Sequence, residues 1–398
     1  MKFSLIAPQV VLISAFLSSM LLSGVSYILF HIFALLYFFM KTPWLRSIHF
    51  FTLAIVLILC VYAALGIIFG SKTVDVMRDV VYFSKPFLSI LLGYHLALIC
   101  NSRRILVTSI FSAVSIYFVF YIIQIILSGS DIFSMTVQQW RVSTGAGEFL
   151  VSVLIILIHS KFITLPSTSK VVCLSLLYFQ VILTFSRTAF LLLVLYHCVN
   201  YIRGSGLLGS MTKIVVTGLI LLAVITVVSA SGFTDLGFFT KTLNSLKEMT
   251  PKYSVDVVEA STYWRGFEVA LFLNDLMTYS SVQILMGKGM GYLIELPFVI
   301  TLAGNPYESL WFLHNGYLYI FMKAGLLGVG LFSLCVWKFY QASSLCNVQN
   351  AVITTFFLFT VLSTLVMSGP LESNDFAGFL IIMGYFFAFK SKRGTLLE

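Results

Sequence analysis

One histidine and three arginines stand where their chemistry could be used. His314 lies in Leu313-His314-Asn315-Gly316-Tyr317, where a long loop meets an apolar run. An imidazole there can orient or deprotonate a hydroxyl at the mouth of a cavity, or it can simply cap the next helix with Asn315. Arg187 interrupts Leu183-Thr184-Phe185-Ser186-Arg187-Thr188-Ala189-Phe190, between two apolar runs shorter than the ~20 residues a membrane crossing needs. A guanidinium near hydrocarbon is costly unless paired or hydrated, so it marks either a site or a snorkelling residue that fixes a helix hairpin. Arg265, in Ser261-Thr262-Tyr263-Trp264-Arg265-Gly266-Phe267, serves a ligand or pairs with Glu268 three residues on. Arg141 is the lone base of Gln138-Gln139-Trp140-Arg141-Val142-Ser143-Thr144-Gly145. Together the three arginines offer a diphosphate planar forks that bind phosphate oxygens in pairs and never lose their charge.

The remaining candidates point to less. Gly287-Lys288-Gly289-Met290-Gly291 is glycine-rich, but no strand-helix-strand unit surrounds it, which excludes a dinucleotide or P-loop reading and leaves a turn. Glu148, Glu268, Glu308, Glu372 and Asp375 are possible bases or solvated surface groups, and no acidic pair has metal-ligand spacing. The six cysteines form no CxxC motif or disulfide framework. No metal or cofactor is expected.

The elements that position these residues follow from composition. With 59% hydrophobic and 10% charged residues and a mean hydropathy of +1.01, the chain has more apolar material than a soluble core can hide. The expected fold is an all-α polytopic membrane protein of about twelve helices: Ser4 to Leu22, Val25 to Met40, His49 to Phe69, Val80 to Ile99, Ile105 to Leu127, Glu148 to Phe162, Val171 to Phe185, Thr188 to Ile202, Lys213 to Ala230, Asn315 to Phe339, Asn350 to Met367 and Asp375 to Phe389. Lys2 and the apolar stretch behind it are read as an uncleaved first helix, because a second run follows without a convincing cleavage site.

Charge sets the orientation, since Lys and Arg stay in the cytoplasm beside helix ends. With both termini inside, the inner face has thirteen bases and one acid (net +12) and the outer face eleven bases and fourteen acids (net −3), together the formal +9. The basic pI of about 9.2 therefore reports topology and gives no support to nucleic-acid binding. Of the histidines, only His314 then falls at the outer face. The chain divides into helices 1–9 (1–231), an outer loop between helices 9 and 10 (232–313), and helices 10–12 with a cytoplasmic tail (314–398). Within the loop, Trp264 to Met277 has helical periodicity with Arg265, Glu268 and Asp275 on one face, as in a helix lying on the membrane surface.

Ser186-Arg187-Thr188, Arg265, Gly287 to Gly291, and His314-Asn315-Gly316-Tyr317 leading into Lys323-Ala324-Gly325-Leu326-Leu327-Gly328 occur in an order and spacing that resemble the bacterial O-antigen polymerase and O-antigen ligase superfamily of membrane glycosyltransferases. The likeness covers about Leu183 to Phe332. It implies a GT-C-like helical fold in the bacterial inner membrane, with the loop in the periplasm. It also implies an undecaprenyl-diphosphate-linked glycan donor and acceptor, and metal-independent inversion at the anomeric carbon. A chain-length regulator would be a further partner. On this resemblance Arg187 and Arg265 hold the diphosphate, Arg141 assists, and His314 orients or deprotonates the acceptor hydroxyl. A polymerase is favoured over a ligase acting on lipid A-core. A flippase or transporter would show matching halves and charges lining a central path, and neither pattern is visible.

Overall fold

The computed structural model describes residues 3–22, 24–41, 46–100, 102–127, 148–162, 165–184, 186–203, 250–254, 256–257, 260, 263–302, 305–343, 350–366, 370–371 and 375–394. Helices α1 (Phe3–Leu21), α2 (Gly24–Lys41), α3 (Arg46–Ile68), α4 (Thr73–Cys100), α5 (Arg103–Leu127), α6 (Glu148–His159), α7 (Ser167–Thr184) and α8 (Arg187–Arg203) come before the loop. The loop supplies α9 (Trp264–Leu276), α10 (Ser281–Met286), β1 (Ile294–Leu302) and β2 (Asn305–Leu310). Helices α11 (Gly316–Ser343), α12 (Asn350–Val366) and α13 (Asp375–Gly394) complete the fold. Among the described residues each expected helix but the ninth is present, the fourth starting well before its expected first residue; the ninth lies outside the described residues.

Three helical segments, Thr73–Ile99, Arg103–Phe120 and Gly316–Gln341, are long and apolar enough to cross a membrane, and shorter apolar helices accompany them. Large apolar side chains stay exposed along the bundle, among them Leu57, Ile68, Leu127, Leu176 and Leu334. Faces of that kind are stable against lipid and costly against water. The chain is a mostly helical membrane protein.

The bundle is tightest where α4 crosses α13. A Cβ on Gly93 would lie 1.9 Å from the Ile381 carbonyl oxygen, and one on Gly384 would lie 2.0 Å from that of Ile90. Glycine on both helices lets the backbones touch, as expected where packing rather than water exclusion holds helices together. A second core joins α3, the start of α4, the loop and α11 through Phe267, Phe272, Met290, Phe312 and Tyr319.

Three local features depart from the sequence expectations. The loop contains an antiparallel hairpin, pairing Ile294 with Leu310 and Leu302 with Asn305, so the chain is not entirely α. The β-branched and aromatic run of β1 favours a strand, and its register breaks between Glu295 and Ile300, around Pro297, which cannot donate to the ladder. Helix α4 starts at Thr73 rather than Val80, with Asp75 in its first turn where a carboxylate complements the helix dipole. Helix α9 turns one face into the protein, with Gly266, Phe267, Glu268, Ala270, Leu271 and Phe272 buried, so Glu268 is not a solvated group.

Candidate functional site

The segment that enters α11 makes the centre of the site. Asn315 Oδ1 accepts the Leu318 backbone N–H at 3.1 Å, capping the helix as its type and position predict. His314, one residue earlier, is bound by Glu268 of α9. Its backbone N–H donates to Glu268 Oε2 at 3.0 Å, and Nδ1 lies 2.9 Å from Oε1 and 3.0 Å from Oε2. The Glu268 side chain is only 4% exposed and that of His314 is 38% exposed. A buried carboxylate needs donors, and here one residue supplies two. Because an ionised carboxylate only accepts, Nδ1 carries the proton, and in the neutral ring Nε2 holds the lone pair that can take a proton from a hydroxyl.

Helical spacing places Arg265, half-buried, on the same face of α9 as Glu268. The pairing of Arg265 with Glu268 admitted by their spacing is not among the ion pairs of the described residues, because Glu268 turns to His314 instead. Ser186, buried, caps α8 through the Ala189 N–H at 3.3 Å, so the serine of Ser186-Arg187-Thr188 has a structural role. Arg187 opens α8, which packs chiefly on α12 and α6, and the Arg187 side chain lies outside the described residues. Arg141 and Glu372 also lie outside them, as do the side chains of Glu148 and Asp375, while Glu308 is exposed on β2. The structure thus joins His314 to Glu268, which lies one turn from Arg265 on α9.

The glycine-rich segment is a turn, as expected, and it is also a splice into α11. Gly325 has φ 62° and ψ −163°, which breaks α11 and turns carbonyls of the preceding residues away from the helix ladder. The loop takes them up: Lys288 N–H donates to Met322 O and Gly289 N–H to Lys323 O, both at 3.0 Å, and Met290 N–H donates to Tyr62 O at 3.1 Å. Gly289 sits at φ 84°, and a Cβ there would come within 2.4 Å of the Gly66 backbone nitrogen. Lys288 is held by Asp275 at 3.0 Å and by the Tyr292 hydroxyl at 2.8 Å. Burial, and then the hydrogen bond to Asp275, pushes the Tyr292 hydroxyl well above its ordinary range, so it remains a donor.

One centre escaped the sequence reading. Asp79, fully buried, receives Lys323 Nζ at 2.6 Å, the Gly291 N–H at 2.6 Å and the Tyr319 hydroxyl at 3.0 Å. Lys323 Nζ also donates to the Tyr292 carbonyl. This ion pair ties α4, the glycine turn and α11 into one unit. The signal was an aspartate and a lysine inside otherwise apolar stretches, where each needs a partner. Starting helix 4 at Val80 left Asp79 one residue outside it.

Beside this unit an apolar cleft of about 120 Å³ lies among α3, α4, α11 and α13, lined by Leu59, Phe83, Phe87, Leu331, Phe332 and Met383. Among the described residues no three His, Cys, Asp or Glu side chains gather to hold a metal ion. Comparison with known proteins finds no family model and no curated protein that matches the chain.

Proposed function

We propose that this protein is a membrane glycosyltransferase that joins undecaprenyl-diphosphate-linked oligosaccharide units at the periplasmic face, as an O-antigen polymerase does. The observation that carries the reading is the buried carboxylate of Glu268 holding the half-exposed imidazole of His314. In the reaction, Nε2 of His314 takes the proton of the acceptor hydroxyl as its oxygen attacks the anomeric carbon. The bond from that carbon to the diphosphate breaks, and the lipid diphosphate leaves with the electron pair. Glu268 stabilises the imidazolium that forms. By the resemblance Arg265, one turn before Glu268 on α9, and Arg187 hold the departing diphosphate, and Arg141 assists. By the same resemblance the helices take a GT-C-like arrangement and no metal or cofactor takes part, while the apolar runs give twelve membrane crossings and the charge split puts both termini in the cytoplasm.

The apolar cleft supports the reading because an isoprenoid tail needs such a wall next to the headgroup site. A flippase would instead need charged groups facing a path, and two of the in-span charges, Asp79 and Lys323, are bonded to each other. The test is the glycan ladder of a deletion strain complemented with wild-type protein or with Arg187→Ala, Arg265→Ala or His314→Ala. Deletion of a polymerase leaves a single repeat unit on the core, whereas bare core would assign the protein as a ligase. A normal ladder from the deletion refutes the function, and normal ladders from all three variants at wild-type abundance refute the site.

A further inference from the structure

Helix α4 carries two polar rows. One contains Asp79 and belongs to the ion-paired splice. The other is Arg78, Tyr82, Lys85 and Ser89, which recur every three or four residues and so share a face roughly 100° round the helix from Asp79. Nothing in the proposed chemistry has yet used this second row.

Ring contacts lead from the row to the imidazole. The Arg78 guanidinium carbon lies 4.6 Å from the Trp311 ring centre, and Lys85 Nζ lies 4.3 Å from that of Tyr82. Tyr82 and Trp311 are 5.1 Å apart, Tyr82 and Phe312 6.4 Å, and Phe312 and His314 6.3 Å. Two cations on α4 therefore reach the aromatic layer on which His314 rests. Asp75 approaches one edge of the Arg78 guanidinium, with its Oδ1 2.9 Å from Nη2. Nε of Arg78 is buried with no hydrogen-bond partner among the described residues, although the side chain as a whole is 30% exposed. A guanidinium over a ring face keeps its donors in its own plane, where an anion can meet them at the edge.

We infer that Arg78 and Lys85, backed by Trp311 and Tyr82, form a diphosphate-binding subsite that the ring of Phe312 joins to His314. On the transferase reading, on which this inference rests, its occupant is the diphosphate of the lipid-linked donor. That diphosphate is joined to the anomeric carbon, and the hydroxyl deprotonated at Nε2 must attack the same carbon. Both cations connect through two rings, the second of them Phe312, to the imidazole that takes that proton. The apolar cleft begins on the adjoining face of α4 at Phe83, Pro86 and Phe87, which gives an isoprenoid chain a wall to follow from the headgroup.

The test uses the purified full chain in nanodiscs of zwitterionic lipid, titrated with undecaprenyl diphosphate and, separately, with inorganic diphosphate. Arg78→Ala should weaken lipid diphosphate binding about ten- to a hundredfold, as expected for loss of a charge-assisted contact. Arg78→Lys should fall between Ala and wild type, and Lys85→Gln should weaken binding as well. Inorganic diphosphate should compete against wild type, with lower affinity than the lipid, and should fail to compete against Arg78→Ala. Equal affinity for inorganic and lipid-linked diphosphate would overturn the lipid-linked assignment. Displacement by phosphatidylglycerol at equal potency would make the row a general anionic-lipid contact, also against the proposal. Unchanged binding by Arg78→Ala with a wild-type melting temperature refutes the subsite and leaves the transferase reading standing. No binding of undecaprenyl diphosphate by wild type refutes both. Arg78 is partly exposed, so its variants keep the test decisive if Lys85→Gln fails to fold.

Discussion

Replacing Glu268 with Gln isolates what the carboxylate does for His314. The side chain keeps its size, so the packing of α9 through Phe267 on Phe298 is preserved. The acceptors change: two carboxylate oxygens now take the His314 backbone N–H and Nδ1–H, at 3.0 and 2.9 Å. Glutamine offers one acceptor and turns its NH2 toward the other donor, and the charge that steadies an imidazolium is lost. One charge-assisted hydrogen bond is worth about 1.5–3 kcal/mol, which corresponds to a roughly ten- to hundredfold slower transfer step. The assay is release of undecaprenyl diphosphate by purified protein from a lipid-linked donor, with acceptor concentration varied. The loss should appear in kcat more than in KM, because Glu268 acts through His314 and does not touch substrate. If the two residues work as a unit, Glu268→Gln combined with His314→Ala should be no slower than His314→Ala alone. A double variant whose loss equals the product of the single losses, or Glu268→Gln with wild-type kcat, would refute the dyad.

Three further outcomes are expected. Gly289→Ala should lower the melting temperature or the yield of folded protein, since a left-handed φ costs an L-residue about 1–2 kcal/mol before its Cβ meets the Gly66 backbone. Gly330→Ala, which meets nothing within 4 Å, should be tolerated, and equal stability of both variants would contradict the splice. Asp79→Leu or Lys323→Met alone should destabilise by about 3–5 kcal/mol in chemical unfolding, and the two together should recover part of the loss. Removing one partner strands a buried charge, whereas removing both does not. If the double variant is as unstable as the sum of the singles, the pair is not a mutual lock. Alkaline phosphatase fused after Thr250 should be active and after Arg104 inactive, and the reverse pattern would overturn the proposed orientation.

What local sequence controls was legible. Apolar runs define helices because each residue carries its own cost of leaving hydrocarbon, and the helix ends fall close to where those runs stop. His314 and Asn315 were visible as a polar pair at a helix start, and the glycine turn as a turn, because capping and left-handed backbone are settled within a few residues. Helical periodicity gave α9 its two faces. It could not say which face meets the protein, so by sequence Glu268 is either a possible base or a solvated group, and tertiary structure buries it against His314, 46 residues away in the chain. Asp79 and Lys323 lie far apart in the chain, and their pairing follows from the fold that brings α4 and α11 together. The break at Gly325 has the same origin: the carbonyls it turns from the helix ladder are satisfied only because the glycine turn arrives from outside α11 to meet them. Sequence fixes what each segment can bury or bond. Which partner it finds depends on segments distant in the chain, because a buried polar group takes its partner from whatever the packing brings within hydrogen-bond range.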